Sequence, residues 1–225
     1  MFPLALLNAA SPPVDPALTL VLLHFDGANN STVFTDSSPF NQTVSVVTGT
    51  PKISTDMSKF GGSSLYLDGS SSIKIPNNAN LNLGTGVFTI EFWFYLLSLP
   101  ISEAMFLQKF GSPRQQISIY PSGELYSGFR YGSLTSTTVI TTGAWYHVAV
   151  VRETENGIIK QYLNGVHEGG TAGGGGGSVD NAGDLTIGSG FSGSNIVTGY
   201  IDEFRYRREA VYTTNFTPPT APFTF

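Results

Sequence analysis

The stretch Val87-Phe88-Thr89-Ile90-Glu91-Phe92-Trp93-Phe94-Tyr95-Leu96-Leu97 indicates how this chain folds. Apolar side chains occupy every second position from 88 to 96, and the side chains of a β-strand point alternately to the two faces of a sheet. One face of this strand is therefore predicted to lie in a hydrophobic core. The other face mixes polar and aromatic residues, which indicates either a ligand platform or, more simply, a surface covered by a loop.

Runs of the same kind lie on both sides of this strand, separated by clusters of Gly, Asn, Asp, Ser and Pro, and about thirteen strands are predicted in all. Helices that could connect parallel strands are missing, so we predict an all-β fold, an antiparallel two-sheet jelly-roll sandwich with an extended N-terminal arm. One short helical turn is expected at 208–211. The clearest runs are 20–25, 43–47, 64–67, 72–75, 87–97, 104–110, 116–120, 124–129, 145–152, 158–163, 185–187 and 200–206.

The amino-acid composition argues against several classes of function. The 225 residues include 11 basic and 16 acidic ones, a formal net charge of −5, so a nucleic-acid partner is not expected. Cysteine is absent, which excludes disulfides, thiol nucleophiles and thiolate metal sites. Polar residues and prolines interrupt every apolar run before it reaches the length of a membrane span, so membrane insertion is not expected either.

The N-terminal region differs from the rest of the chain. Residues 1–18 contain four prolines and are predicted to form an extended arm, with the sandwich over 19–225. The apolar start lacks Lys or Arg before it, so we interpret it as retained and not as a secretory signal. Its large side chains have little to bury against within one sandwich, so we expect them to anchor the arm on another subunit. They are Phe2, Leu4, Leu6 and Leu7.

Catalysis is not indicated. A glycosidase needs two carboxylates flanking one bond, whereas Glu91 stands alone in its strand. A Ser-His-Asp hydrolase needs a histidine base, but His24 and His147 lie in apolar runs typical of a core, and no Gly-x-Ser-x-Gly elbow is present. We therefore predict that the protein is not an enzyme.

Two aspartates are candidate metal ligands. Asp202 shares strand parity with Tyr200, Phe204 and Tyr206, and a carboxylate that points inward requires a cation or several hydrogen-bond donors. Asp26 follows the first strand, and the terminal strands of sandwiches commonly pair. Two interpretations stay open: a structural Ca²⁺ site, or carboxylates satisfied by backbone amides.

Aromatic residues offer a second kind of site. Sugar rings stack their C–H faces on aromatic rings whose polar tips form hydrogen bonds. The candidate carbohydrate-binding residues are Trp93, Tyr95, Tyr120 and Tyr126, with Tyr131 nearby in sequence.

Several segments, taken in order, resemble the laminin-G-like jelly roll of the concanavalin-A-like lectin/glucanase superfamily over about residues 20–223. They are LLHFDG at 22–27, FTDSS at 34–38, KFGGSSLYLDG at 59–69, FTIEFW at 88–93, WYHVAV at 145–150, YLNG at 162–165 and GYIDEFR at 199–205. The ending YTTNFTPPTAPF at 212–223 resembles a version common in virion proteins of tailed bacteriophages. The resemblance implies a non-catalytic module, with Asp26 and Asp202 near a structural calcium and Asp36 as a weaker candidate ligand.

From these features we expect a bacteriophage virion structural protein at the virion surface, either a capsid decoration (cement) protein or a small tail component. Its arm would bind other virion proteins, and we expect a homo-oligomer, with a trimer as the first choice. The alternative is a carbohydrate-binding, lectin-like module for host adhesion, with a glycan as its partner.

Overall fold

The computed structural model describes residues 15–130, 132–155, 157–172 and 176–225. Within these residues the chain forms fifteen strands and two short 3₁₀ turns, at Pro16–Leu18 and Ala79–Leu81. The strands are β1 Thr19–Leu23, β2 Ser45–Thr48, β3 Lys52–Ser54, β4 Ser64–Asp68, β5 Ser72–Ile75, β6 Phe88–Leu96, β7 Ala104–Lys109, β8 Gln115–Ile119, β9 Glu124–Phe129, β10 Gly132–Val139, β11 Trp145–Arg152, β12 Ile159–Leu163, β13 Val166–Ala172, β14 Leu185–Ile187 and β15 Thr198–Arg207.

The strands form two antiparallel sheets packed face to face, which confirms the all-β jelly-roll sandwich. Sheet A has the order β13-β12-β11-β6-β15-β4-β3, and β1 pairs with the second half of β15. Sheet B has the order β10-β9-β8-β7-β14-β5-β2. Every predicted run contains a strand, whereas β3, β10 and β13 were not predicted. The helical turn expected at 208–211 is wrong, because these residues adopt bends and irregular backbone.

The core lies between the sheets and contains the face of β6 that the sequence predicts. Its five alternate apolar residues, from Phe88 to Leu96, are buried in one cluster with side chains of both sheets. Aromatic rings dominate its centre. The ring centre of Phe92 lies 5.5 Å from that of Phe106 on sheet B and 6.0 Å from that of Phe204 on β15. Contacts of this kind bury large apolar areas and stabilise the sandwich.

The outer face of sheet A is also covered. The residues that follow β15, 208–225, are called the C-terminal segment below. They place Tyr212, Phe216 and Phe223 against outward-facing side chains of β6, β11 and β12. The mixed polar and aromatic face of β6 is therefore covered by another part of the chain, which is the simpler of the two interpretations of the sequence.

The inward orientation predicted for Asp202 is wrong because β15 contains a β-bulge. Asp202 pairs with Trp93 and Arg205 pairs with Glu91, so β15 has one extra residue between these positions. Glu203 takes up the extra residue in a left-handed conformation, with φ of 52°. Phe204 therefore points into the core, while Asp202 lies on the outer face of sheet A, where it is nevertheless fully buried.

The four residues proposed as anchors, Phe2, Leu4, Leu6 and Leu7, lie outside the described residues. The described part of the arm is tied to the sandwich. The Asp15 side chain caps the first 3₁₀ turn by accepting from the amide of Ala17, and the Arg208 amide donates to the carbonyl of Leu18. No helix among residues 15–130, 132–155, 157–172 and 176–225 has the length and apolar character of a membrane span.

Candidate functional site

Trp93 and Tyr95 lie on the outer face of sheet A. Only 4% of Trp93 is exposed. Phe60 packs edge-on at 6.1 Å between ring centres, and the ammonium of Lys59 lies 3.9 Å from the indole ring. Tyr95 is half-buried, with its ring 5.7 Å from that of Trp145. A sugar could reach Trp93 only if the covering segments moved.

Beside Trp93, the outer face of sheet A holds a buried charged network. Glu91 accepts hydrogen bonds from Arg205 Nε at 2.9 Å and Nη2 at 2.5 Å, and from the hydroxyl of Tyr212 at 2.9 Å. His147 Nε2 lies 3.2 Å from the same carboxylate. Burial alone would raise the pKa of Glu91, but the charge of Arg205 and the contact with His147 outweigh it and lower the pKa to about 2. The network joins the C-terminal segment to sheet A, and the Glu91 carboxylate at its centre is closed to solvent.

The two candidate metal ligands lie near the junction of β1 and β15. Asp202 Oδ2 accepts from the amides of Lys59 at 2.7 Å and Phe60 at 3.1 Å, and Oδ1 accepts from the amide of Glu203 at 2.9 Å. Burial nevertheless raises the pKa of Asp202 to about 7. Asp26 is exposed, and burial of part of its side chain raises its pKa as well.

The donor set around Asp202 fits a calcium ion poorly. Calcium requires six to eight oxygen ligands, whereas three N–H groups already point at the Asp202 carboxylate. Among the residues that the structure describes, no group of three or more His, Asp and Glu side chains is arranged to hold a metal ion. Backbone amides thus satisfy Asp202, and calcium binding stays a prediction.

Glu203 connects three parts of the chain beside this position. Its carboxylate lies 2.9 Å from His24 Nδ1 and accepts from the amide of Phe223 at 2.8 Å. The hydrogen bond with Glu203 is the main reason that the pKa of His24 is raised. The group holds β1, β15 and the C-terminal segment together, which is a structural role.

The outer face of sheet B carries the other two predicted aromatics. Tyr120 follows β8 and Tyr126 lies on β9, with 5.4 Å between their ring centres. Both are half-buried. The ring of Tyr126 extends along its strand over Gly128, where a Cβ atom would stand 2.9 Å from the tyrosine hydroxyl. The glycine allows this ring to lie flat on the sheet.

A row of polar side chains lies beside these tyrosines. Gln116 Nε2 donates to Glu103 Oε1 at 2.6 Å and to Ser118 Oγ at 3.1 Å, and Ser118 Oγ donates to the same glutamate oxygen at 2.7 Å. Only 1% of Gln116 is exposed, and its Oε1 has no hydrogen-bond partner among the residues that the structure describes. A buried acceptor without a donor is costly, and a water molecule or a ligand hydroxyl can satisfy it.

A second aromatic pair, which the sequence did not reveal, lies at the other end of β7. Phe110 and Phe191 stack with 4.1 Å between ring centres and 16° between ring planes. They are 47% and 52% exposed and line a half-open groove of about 420 Å³ together with Asn181 and Asp184. Exposed phenylalanines flanked by Gly and Ser in loops were the available sequence signal.

The predicted carbohydrate-binding residues thus do not form one surface. Trp93 and Tyr95 lie on sheet A, whereas Tyr120 and Tyr126 lie on sheet B, and Tyr131 is outside the described residues. Among the residues that the structure describes, both outer faces hold a buried polar atom without a hydrogen-bond partner: Trp93 Nε1 and His147 Nδ1 on sheet A, and Gln116 Oε1 on sheet B. The faces differ in their candidate rings, because Trp93 is buried whereas Tyr120 and Tyr126 are both half-buried.

Comparison with known proteins agrees with this fold. A family model described as the concanavalin A-like lectin/glucanases superfamily, of laminin-G type, matches residues 67–212, well over half of the chain. A search of the curated proteins finds no match.

Three solved structures illustrate the likeness. The binding domain of Paraclostridial Mosquitocidal Protein 1 is 18% identical, with a TM-score of 0.67 over 88% of this chain and 50% of that one. The receptor binding domain of botulinum neurotoxin C/D mosaic serotype is 16% identical, with a TM-score of 0.67 over 88% and 49%. Domain 4 of an extracellular GH43 arabinanase from Geobacillus stearothermophilus, in complex with arabinotriose, is 21% identical, with a TM-score of 0.61 over 86% and 94%.

This chain spans about half the length of the two toxin domains. At these identities the likeness shows the shared fold alone.

Proposed function

The chain belongs to the concanavalin A-like lectin/glucanases superfamily, and on this premise we propose that it is a non-catalytic module that binds carbohydrate on the outer face of sheet B. The proposal is carried by the half-buried Tyr120–Tyr126 pair, which lies next to Gln116, whose buried Oε1 has no hydrogen-bond partner within the described part of the chain. Sugar hydroxyls supply donors, and the apolar face of a sugar ring stacks on aromatic side chains.

The chemistry of the face supports this ligand class. Ser118 and Glu103 lie beside Gln116 and offer further acceptors at the same place. Burial, together with the charge of Glu103, raises the pKa of Tyr120, so this tyrosine stays a neutral hydrogen-bond donor well above pH 7. The arabinotriose complex of one structural neighbour is consistent with carbohydrate binding on this fold.

The test is a glycan array that includes linear plant and bacterial polysaccharides, followed by calorimetry with each glycan that binds. Tyr126→Ala should weaken binding by about two- to tenfold, because one ring stack contributes about 0.5 to 1.5 kcal/mol. Tyr66→Ala is the matched control, since Tyr66 is a half-buried tyrosine on sheet A. Absence of binding to every glycan, or equal loss in both variants, contradicts the proposal.

The absence of catalysis is tested on the same ligands. Glu91 is sealed in the network with Arg205 and Tyr212, so it has no access to substrate. Incubation of the bound oligosaccharides with the protein should leave their chain length unchanged by chromatography. Hydrolysis products that vanish in Glu103→Gln would contradict a purely binding role.

A second proposal, a virion surface protein anchored by its arm, is supported by the phage-like ending at 212–223 and by the apolar residues Phe2, Leu4, Leu6 and Leu7. Deletion of residues 2–14, which keeps Asp15 and its cap, tests it in phage particles. Loss of incorporation with unchanged unfolding supports the anchor, and normal incorporation contradicts it. Light scattering of the purified protein tests the expected trimer.

A further inference from the structure

The Phe110–Phe191 pair and the Tyr120–Tyr126 pair of sheet B lie on one continuous face. On β7, Gln108 and Phe110 share parity, and Gln108 lies directly opposite Gln116 of β8. The backbone amide of Phe191 donates to Gln108 Oε1 at 3.0 Å. The Phe110–Phe191 pair is therefore joined to the Gln116–Ser118 row through Gln108.

The other end of this row reaches the tyrosines. Ser118 lies directly opposite Tyr126 across β8 and β9, and Tyr120 is two residues farther along the same face. From Gln116 to Tyr120 the strand advances four residues, or roughly 13 Å. The face thus presents a phenylalanine pair, a polar row and a tyrosine pair in sequence, over a length greater than one sugar ring.

Both ends of this arrangement are open. Phe110 and Phe191 are about half exposed, and Tyr120 and Tyr126 keep part of their rings in solvent. A site for the terminal sugar of a glycan would be a closed pocket that surrounds that sugar on most sides. The polar row between them is buried, since 5% of Gln108, 1% of Gln116 and 0% of Ser118 are exposed, so the two aromatic pairs form the accessible part of the face. Accessible rings at both ends suit a ligand that continues past each ring.

We propose that this face binds the interior of an extended glycan chain, with the Phe110–Phe191 pair as a second subsite. The inference rests on the proposed function and adds the ligand class: linear polysaccharides recognised within the chain, in place of short terminal sugars. Each pair stacks on one sugar ring, and the half-buried Glu103 accepts from hydroxyl groups between the two pairs.

The experiment uses ladders of linear arabino-, xylo- and cello-oligosaccharides, from the disaccharide to the hexasaccharide, with calorimetry on the full chain. Affinity should rise with length by about tenfold as the second aromatic pair is reached, and then level off. Phe191→Ala should remove that gain and leave binding of the shortest oligosaccharides unchanged. Phe225→Ala, a phenylalanine that is 39% exposed on the sheet A side, is the matched control.

The outcomes separate the two proposals. If short and long oligosaccharides bind equally, or if Phe191→Ala and Phe225→Ala bind the hexasaccharide like the unmodified chain, the second subsite is wrong and the carbohydrate-binding function stands. If no ladder and no array glycan binds, the proposed function itself fails and the second subsite with it. If Phe191→Ala instead abolishes self-association in ultracentrifugation, the phenylalanine pair contacts a second copy of the chain, which also overturns the inference.

Discussion

Replacement of Glu91 by glutamine should destabilise the protein by about 3 to 5 kcal/mol, because it leaves the guanidinium of Arg205 buried without its counter-charge. The pKa of Glu91 gives a second route to this figure. A shift from 4.5 to about 2 corresponds to about 3 kcal/mol of preference for the charged form in the folded protein. Both routes give a loss of several kcal/mol.

Urea unfolding at pH 7, followed by far-ultraviolet circular dichroism, measures this change. In a chain of this size the loss corresponds to a fall in melting temperature of about 10 °C. Lys74→Met is the control, because the Lys74–Asp184 pair is about one-third exposed and should contribute less than about 1 kcal/mol. Replacement of both Glu91 and Arg205 by methionine should recover part of the loss, since no lone charge then remains buried.

The lowered pKa of Glu91 also sets the direction in which the stability of the protein changes with pH. Because the pKa of Glu91 is lower in the folded chain than in the unfolded chain, its contribution is complete above pH 4.5 and is lost as the pH falls toward 2. A loss below about 1 kcal/mol in Glu91→Gln, or an unchanged acid limb in that variant, would refute the view that this network fastens the C-terminal segment.

Three further predictions concern the same half of the molecule. Burial raises the pKa of Asp202 from 3.8 to about 7, so between these pH values the folded state retains a proton that the unfolded state lacks. The free energy of unfolding should therefore fall as the pH rises from about 4 to about 7. Asp202→Asn should flatten this part of the plot of stability against pH. Gly165 has a φ of 78°, and in Gly165→Ala the new Cβ atom would stand 1.9 Å from the carbonyl oxygen of Phe216. We expect the free energy of unfolding to fall by about 2 kcal/mol or more and the tryptophan emission to shift to the red. Unchanged emission together with unchanged stability would contradict this prediction. Calcium at Asp26 and Asp202 predicts a melting temperature that drops when a chelator is added, and identical curves in both buffers remove that site.

The sequence predicted the sandwich because alternation along a strand is a local property. In β6, the period of two separates core from outer residues without error, since the strand is regular from Phe88 to Leu96. In β15 the same reasoning misplaced Asp202, because the bulge at Glu203 shifts the alternation by one residue. A non-glycine residue with positive φ gives no clear signal in a sequence.

The site was harder to predict, because it depends on which sheet each strand joins. The alternation of apolar and polar residues along each strand shows that Trp93 and Tyr126 point away from the core. It does not show that they lie on opposite sides of the sandwich. The cover over Trp93 comes from Phe60 and Phe223, which are remote in sequence. Phe191 lies in an irregular loop without periodicity, so its stacking on Phe110 follows only from the tertiary fold.

The most direct test of the binding face is a nuclear magnetic resonance titration of the labelled chain with a glycan that binds. Both tryptophans of the chain, Trp93 and Trp145, lie on the outer face of sheet A. Binding to sheet B should shift the side-chain amide signals of Gln116 and the backbone signals of Tyr126 and Gly128, and leave both indole signals in place. Movement of the Trp93 indole signal with a constant Gln116 signal would contradict binding on sheet B.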